Sequence, residues 1–293
     1  MAFNVKNCCI VLLLDASYIV GARTLISSFR HSEILPNLPI VLMSDDQKVL
    51  DDPHLGPIAH KKVLIEADFL ERYANLSNEH IPESQRRENV PKYTWLKFAA
   101  YQNFGFDANM FIDTDMIFLR SPDGLLKSLE GADFDYAATQ NIPHEVWKGV
   151  ENVEQFENLW RKFEGELDPF SACNLVDKDT SFNSGFSIAR GSVLGYSYIE
   201  RLFRIAADSN TQFEQRINWF AMREIAVKFM ELPIFINMTR PILDQAMKFD
   251  LQDIIDRTII QHYTSKKPWQ KSDRYLTESD KLWIEEWSRI DKD

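Results

Sequence analysis

Met110 to Leu119 reads MFIDTDMIFL, an Asp-Thr-Asp triplet set between runs of large apolar side chains. Asp is depleted in strands and almost never buried unless paired or metal-bound, so two carboxylates here need a reason. The flanks Met110-Phe111-Ile112 and Met116-Ile117-Phe118-Leu119 read as a buried parallel strand interrupted at its edge. Along an extended chain Asp113 and Asp115 point to the same side, so both can grip one cation. Hard oxygen donors suit Mg²⁺ or Mn²⁺, which keep some waters and complete their shell from phosphates. The triplet points to a cation and a diphosphate. The plainer alternative is a turn at a strand end whose carboxylates cap backbone N–H groups.

The surroundings are those of an ordinary globular chain. Its 293 residues are 45% apolar and 26% charged, enough for a large core and one elaborated α/β unit. With 33 basic and 44 acidic residues the net charge is −11, which argues against a general binder of nucleic acid or anionic membrane. A diphosphate would need local help from a cation or a few placed lysines. Cys8 and Cys9 are adjacent and Cys173 stands apart, so no disulfide framework is expected; a reducing, cytoplasmic setting fits. The apolar run Cys8–Leu14 is too short to span a bilayer and lacks a basic front and cleavage site, which reads as a buried first strand. The sequons at Asn75 and Asn237 carry no meaning without an export signal.

No linker or repeat divides the chain. Strand-like stretches at Ile10–Leu14, Pro39–Met43 and Lys62–Ile65 alternate with helical ones, first over Tyr18–Arg30 with Ile19, Ala22, Leu25, Ile26 and Phe29 on one face. A helix over Pro91–Phe104, bearing Trp95, Phe98, Ala99 and Gln102, precedes the Met110 strand. This alternation predicts a mostly parallel, doubly wound sheet, with ligands beyond the carboxyl ends of its strands. Further on, strands are predicted at Asp135–Ala138, Phe182–Ala189 and Ile259–Tyr263. Helices are predicted at Val153–Phe163, Tyr196–Ala207, Gln215–Phe229 and Ser279–Ile290, the last capped by Ser279. The aromatic stripe Phe156, Leu159, Trp160 and Phe163 reads as core packing.

Four segments, in order, resemble glycosyltransferase family 8, the glycogenin and galactinol-synthase relatives. They are IVLLLDASYIVGARTLISSFR, YTWLKFAAYQNFGFDANMFIDTDMIFL, FNSGFSIAR, and LDQAM followed by IIQHYTSKKPW. The resemblance implies a GT-A, Rossmann-like nucleotide-diphospho-sugar transferase fold over residues 1–293. The nucleotide part would span about 1–120 and the sugar and acceptor part about 121–270, with a helix at 279–290 closing the chain. It also implies a retaining transfer of a hexose, glucose or galactose first, from a UDP-sugar with the help of Mn²⁺, Mg²⁺ being the substitute. The acceptor would be a sugar, polyol, lipid or protein, and a homodimer is allowed.

The family's site residues fall, by resemblance, on these positions. Asp113, Asp115 and His262 would hold the metal. A neutral imidazole in an oxygen-rich shell moves the choice from Mg²⁺ toward Mn²⁺. Lys267 and Lys97 would contact the donor, with Tyr18 stacking on uracil and Leu13 and Thr114 on the nucleotide side. Asn183, Ser184 and Gly185 would line the sugar, and Asp179 would hold one of its hydroxyls. Asp244 and Gln245 would stand near the reacting carbon as nucleophile or as stabiliser of an oxocarbenium-like state. Two departures stand out. The stretch from Asn183 to Asp244 is long while that to His262 is short, and Ser265 replaces the glycine of His-x-x-Gly with the lysine one residue early. A metal-dependent phosphohydrolase and a nucleotide-sugar-binding pseudoenzyme are the competing readings.

Overall fold

A computed structural model describes residues 2–69, 71, 96–142, 146, 147, 149–165, 172–174, 182–208 and 214–290. The first strand, β1 (Cys8–Leu13), is buried at every position because it lies inside a parallel sheet covered on both faces. Its side chains divide by twos. Cys8, Ile10 and Leu12 join Ala22, Leu25 and Phe29 of the first helix region, whereas Cys9, Val11 and Leu13 face Val41, Met43, Leu96 and Phe111. That helix, α1 (Ile19–Ser28), is flanked by short 3₁₀ turns at Ala16–Tyr18 and Phe29–His31, which together fill the stretch predicted as one helix.

β1 pairs in parallel with β2 (Ile40–Ser44) and with β4 (Ala108–Ile112), and β2 pairs with β3 (Lys61–Leu64). Beyond β4 the sheet continues through β8 (Phe182–Arg190), β6 (Tyr136–Gln140), β9 (Lys228–Leu232) and β7 (Ala172–Asn174). β8 runs antiparallel to both neighbours, β6 and β9 are parallel, and β7 is antiparallel to β9. The result is a mostly parallel central sheet with helices on its faces, as the alternation predicted.

A second sheet was not foreseen. β5 (Met116–Phe118) leaves the main sheet and pairs antiparallel with β11 (Ile260–His262), which is joined in parallel to β10 (Met238–Thr239). The predicted single strand through the Asp-Thr-Asp triplet is therefore two strands in two sheets, with a turn between them.

Other boundaries also move. Lys97–Tyr101 is a 3₁₀ turn, and Gln102 is already extended. The amide of buried Asn109 accounts for the early end, since it donates to the Ala100 and Gln102 carbonyls at 2.9 and 2.8 Å. Residues 91–95, including Trp95, lie outside the described residues. The helix predicted over Gln215–Phe229 is Glu214–Glu224, and the strand β9 was missed. Left-handed Ala226 (φ 50°) ends that helix, with Val227 N–H returning to the Met222 carbonyl and Ala226 N–H to Arg223, the paired bonds of a Schellman stop. A stretch as short as Val227-Lys228-Phe229-Met230 fits either periodicity, so pattern alone did not separate them. The last helix, Glu278–Ile290, is capped by Thr277 rather than Ser279. Thr277 N–H donates to Asp280 Oδ2 and Asp280 N–H to Thr277 Oγ1, a reciprocal box that sets the start. The stripe on the helix Val153–Gly165 packs as core, with Phe156 and Trp160 against Trp147, Phe235 and Phe249.

Candidate metal and nucleotide site

The turn at Asp113–Thr114–Asp115 sits at the carboxyl end of β4, where an open α/β sheet presents its ligands. Asp113 N–H donates to the Gly185 carbonyl at 2.7 Å, Met116 N–H closes back on Asp113, and Tyr263 N–H donates to the Asp115 carbonyl at 2.9 Å. The two aspartates meet through this turn and not through extended alternation. Because β5 lies against β11 with Met116 opposite His262, the small sheet delivers the imidazole to the same place. His262 Nε2 stands 3.4 Å from Asp115 Oδ1 and 3.8 Å from Asp113 Oδ2, and ligand atoms from all three residues lie within 4.8 Å of one another.

A chain of buried amides aims the imidazole. Gly185 N–H, which can only donate, meets Asn183 Oδ1 at 2.9 Å, and Asn237 Nδ2 donates to the same oxygen at 2.8 Å. Asn237 Oδ1 then faces His262 Nδ1 at 2.9 Å, so Nδ1 carries the proton and Nε2 is left towards the aspartates. Gly185 is required beside that ring: a Cβ there would fall 2.6 Å from His262 Cε1 and 2.7 Å from Met116 Cε. Asn183, expected on the sugar, instead spends its oxygen inside this relay.

Each aspartate also has a lysine. Lys97 Nζ lies 2.7 and 2.9 Å from the two oxygens of Asp113 and over the Phe111 ring. Lys267 Nζ pairs with Asp115 and donates to the Tyr263 carbonyl at 2.9 Å. Burial works against a charged Asp115, but the adjacent His262 and Lys267 outweigh it and hold the carboxyl well below its usual range. Burial also disfavours the Lys97 ammonium, and the carboxylates of Asp113 and Glu214 more than compensate, raising its pKa.

The segment after β11 closes the site. Ser265 adopts φ 68°, so a serine holds the left-handed backbone that glycine would take at no cost. Arg240 donates to the Lys266 carbonyl and lies 3.5 Å from buried Asp280, which also pairs with Lys271. Trp269 donates to the Ser17 carbonyl at 3.1 Å and meets Tyr18 edge-on, with ring centres 5.7 Å apart. Gly21 lets α1 come this close, since a Cβ would strike the Thr114 carbonyl at 2.4 Å and Trp269 at 2.6 Å. Tyr18 thus borders the pair, its phenol raised by burial and then by Asp115 and Asp113. Leu13 ends β1 in the core face that also holds Phe111, and Thr114 is buried within the turn.

Two acid–amide pairs of the chain matter here, and they lie in different places. Asp244 and Gln245 lie on the helix Arg240–Lys248. Asp244 Oδ1 accepts from Ser279 N–H at 3.3 Å, and buried Gln245 Oε1 has no hydrogen-bond partner among the described residues. Glu214 and Gln215, at the start of the helix Glu214–Glu224, instead reach the site strand: both contact Ser184 Oγ, at 3.1 and 3.4 Å. Glu214 is buried, which pushes its carboxyl up to about 7 against the pull of Lys97. A small cavity is lined by Glu214, Lys97, Ser184, Tyr101 and Asn109. The signal was the long stretch after Asn183, which leaves room for a second acid–amide pair ahead of Asp244. Asn237 was missed too, having been read only as a sequon. Asp179 lies outside the described residues.

No family model and no curated protein matches this sequence. Solved structures do. The glycosyltransferase GlyE of Streptococcus pneumoniae TIGR4 superposes with a TM-score of 0.55 at 16% identity, over 96% of this chain and 62% of that one. The galactosyltransferase LgtC, solved with donor and acceptor sugar analogues, gives 0.57 at 12% identity, over 96% and 95%. The bifunctional glycosyltransferase WbbM gives 0.55 at 16%, over 96% of this chain and 49% of that one. The chain thus spans less than two thirds of GlyE and about half of WbbM, but nearly all of LgtC. At these identities the likeness establishes architecture, and the architecture is that of the GT-A glycosyltransferases.

Proposed function

We propose that the protein is a metal-dependent retaining glycosyltransferase of the family 8 kind, moving a hexose from a UDP-sugar to an acceptor hydroxyl. The observation that carries this reading is the meeting of Asp113, Asp115 and His262 at the end of β4, in a fold whose solved relatives are glycosyltransferases. The donor set fits a divalent ion: two carboxylates supply hard oxygens, and the Asn237 relay presents Nε2 of the imidazole. That composition favours Mn²⁺ over Mg²⁺. Such an ion, when bound, would act as a Lewis acid that stabilises negative charge on the departing diphosphate.

The protein's own groups would share the remaining work. Lys267 and Lys97, each paired with a different aspartate, would supply positive charge to the diphosphate. Tyr18, with Trp269 at its edge, offers the aromatic face for the base, and Leu13 and Thr114 belong to the nucleotide side. Ser184, Gly185, Glu214 and Gln215 form the sugar side. Glu214 is well placed to hold a sugar hydroxyl or to stabilise positive charge at the reacting carbon. Asp244 and Gln245 support the last helix in this reading.

The test is UDP release from a panel of UDP-sugars, with and without Mn²⁺, using Asp115→Asn as the control. Metal-dependent release that the variant loses supports the proposal. Tight UDP binding without release from any donor would favour a binding protein instead.

A further inference from the structure

Each aspartate of the pair already has a lysine as its cation. Asp113 is embraced by Lys97 at 2.7 and 2.9 Å, and Asp115 is paired with Lys267, whose side chain is only 10% exposed. The ammonium groups arrive from separate elements, the turn Lys97–Tyr101 and the segment after β11. Both carboxylates are therefore paired with an ammonium group before any ligand arrives, in a place with little water. A divalent ion arriving by itself would set four positive charges against two carboxylates, where screening is weak. A diphosphate brings its own negative charge and oxygen acceptors, to which a lysine on a flexible stem can transfer.

We infer that Lys97 and Lys267 are resident counter-cations that make the divalent ion and the nucleoside diphosphate bind as a coupled pair. The inference rests on the metal and nucleotide reading above. Lys267 is the principal of the two: releasing Asp115 costs it one partner, and the diphosphate returns one. Binding of either ligand must then strengthen the other by the same factor.

Calorimetric titration tests this on the full chain: Mn²⁺ alone, UDP alone, and Mn²⁺ with saturating UDP, corrected for Mn²⁺–UDP association in solution. The expected result is Mn²⁺ affinity about 30-fold higher with UDP present. Lys267→Met should bind Mn²⁺ alone about tenfold more tightly than the wild type and lose most of the coupling. Lys97→Met, whose site is on a different element, should move both quantities in the same direction. Equal Mn²⁺ affinity with and without UDP overturns the inference and leaves the site reading standing. Coupling unchanged in both variants assigns it to ion–phosphate contact and overturns the lysines' role. No binding of Mn²⁺ or UDP in any combination overturns the site reading, and the inference with it.

Discussion

Asn237 Oδ1 lies 2.9 Å from His262 Nδ1, and both residues are buried. A histidine that ligates metal through one nitrogen commonly has its other nitrogen held in this way, which fixes ring orientation and tautomer. Asn237→Leu should keep the fold and weaken Mn²⁺ binding by about 10- to 100-fold. Manganese titration followed by electron paramagnetic resonance checks it, and unchanged affinity would remove Asn237 from the site.

Gly185 sits against the same ring, beside Cε1 and Nδ1. A methyl group at this position would come within 2.6 Å of His262 Cε1, closer than a packed contact allows. Gly185→Ala should displace the imidazole and lower Mn²⁺ affinity more than it lowers stability. Comparing metal titration with a urea melt separates the two effects.

Glu214 gives the protein a pH dependence. Burial raises its carboxyl from 4.5 to about 7, so between those values the folded state holds a proton that the unfolded state has released. Stability contributed by this residue is therefore full at low pH and is lost as pH rises through about 7. The loss is on the order of 3 kcal/mol. Glu214→Gln should flatten that part of the curve, with the variant gaining on the wild type from pH 5 to pH 8 in denaturant titrations. Parallel curves would place the titration elsewhere.

Ser265 carries backbone strain beside Lys267. An L-residue at φ 68° costs roughly 1–2 kcal/mol more than glycine does there. Ser265→Gly should stabilise the protein by about 1 kcal/mol in chemical denaturation. A destabilised variant would show that the serine side chain makes a compensating contact.

Much of the fold was written locally. Cys8–Leu13 is an unbroken apolar run, Ala108–Ile112 is apolar but for Asn109, and α1 repeats its apolar residues at helical spacing, so strand, helix and parallel pairing follow from burial and period. The Asp113–Asp115 pair was legible for a similar reason: charge inside an apolar run is costly enough to announce itself. Local pattern failed where one segment served two roles. Nothing between Ile112 and Met116 marks a change of sheet, and nothing in Val227–Met230 separates helix from strand.

The sequence by itself thus determined the mostly parallel sheet and the aspartates set in an apolar run, because hydrophobic period and an out-of-place charge are properties of short segments; His262 was named by the family resemblance. Only the tertiary structure decided which partners those groups have. Asn237 aims His262, Lys97 and Lys267 neutralise the aspartates, and Glu214 with Gln215 reaches Ser184 where Asp244 and Gln245 were expected. Those relationships join residues far apart in the chain, and a hydrogen bond across such a distance leaves no period in the sequence.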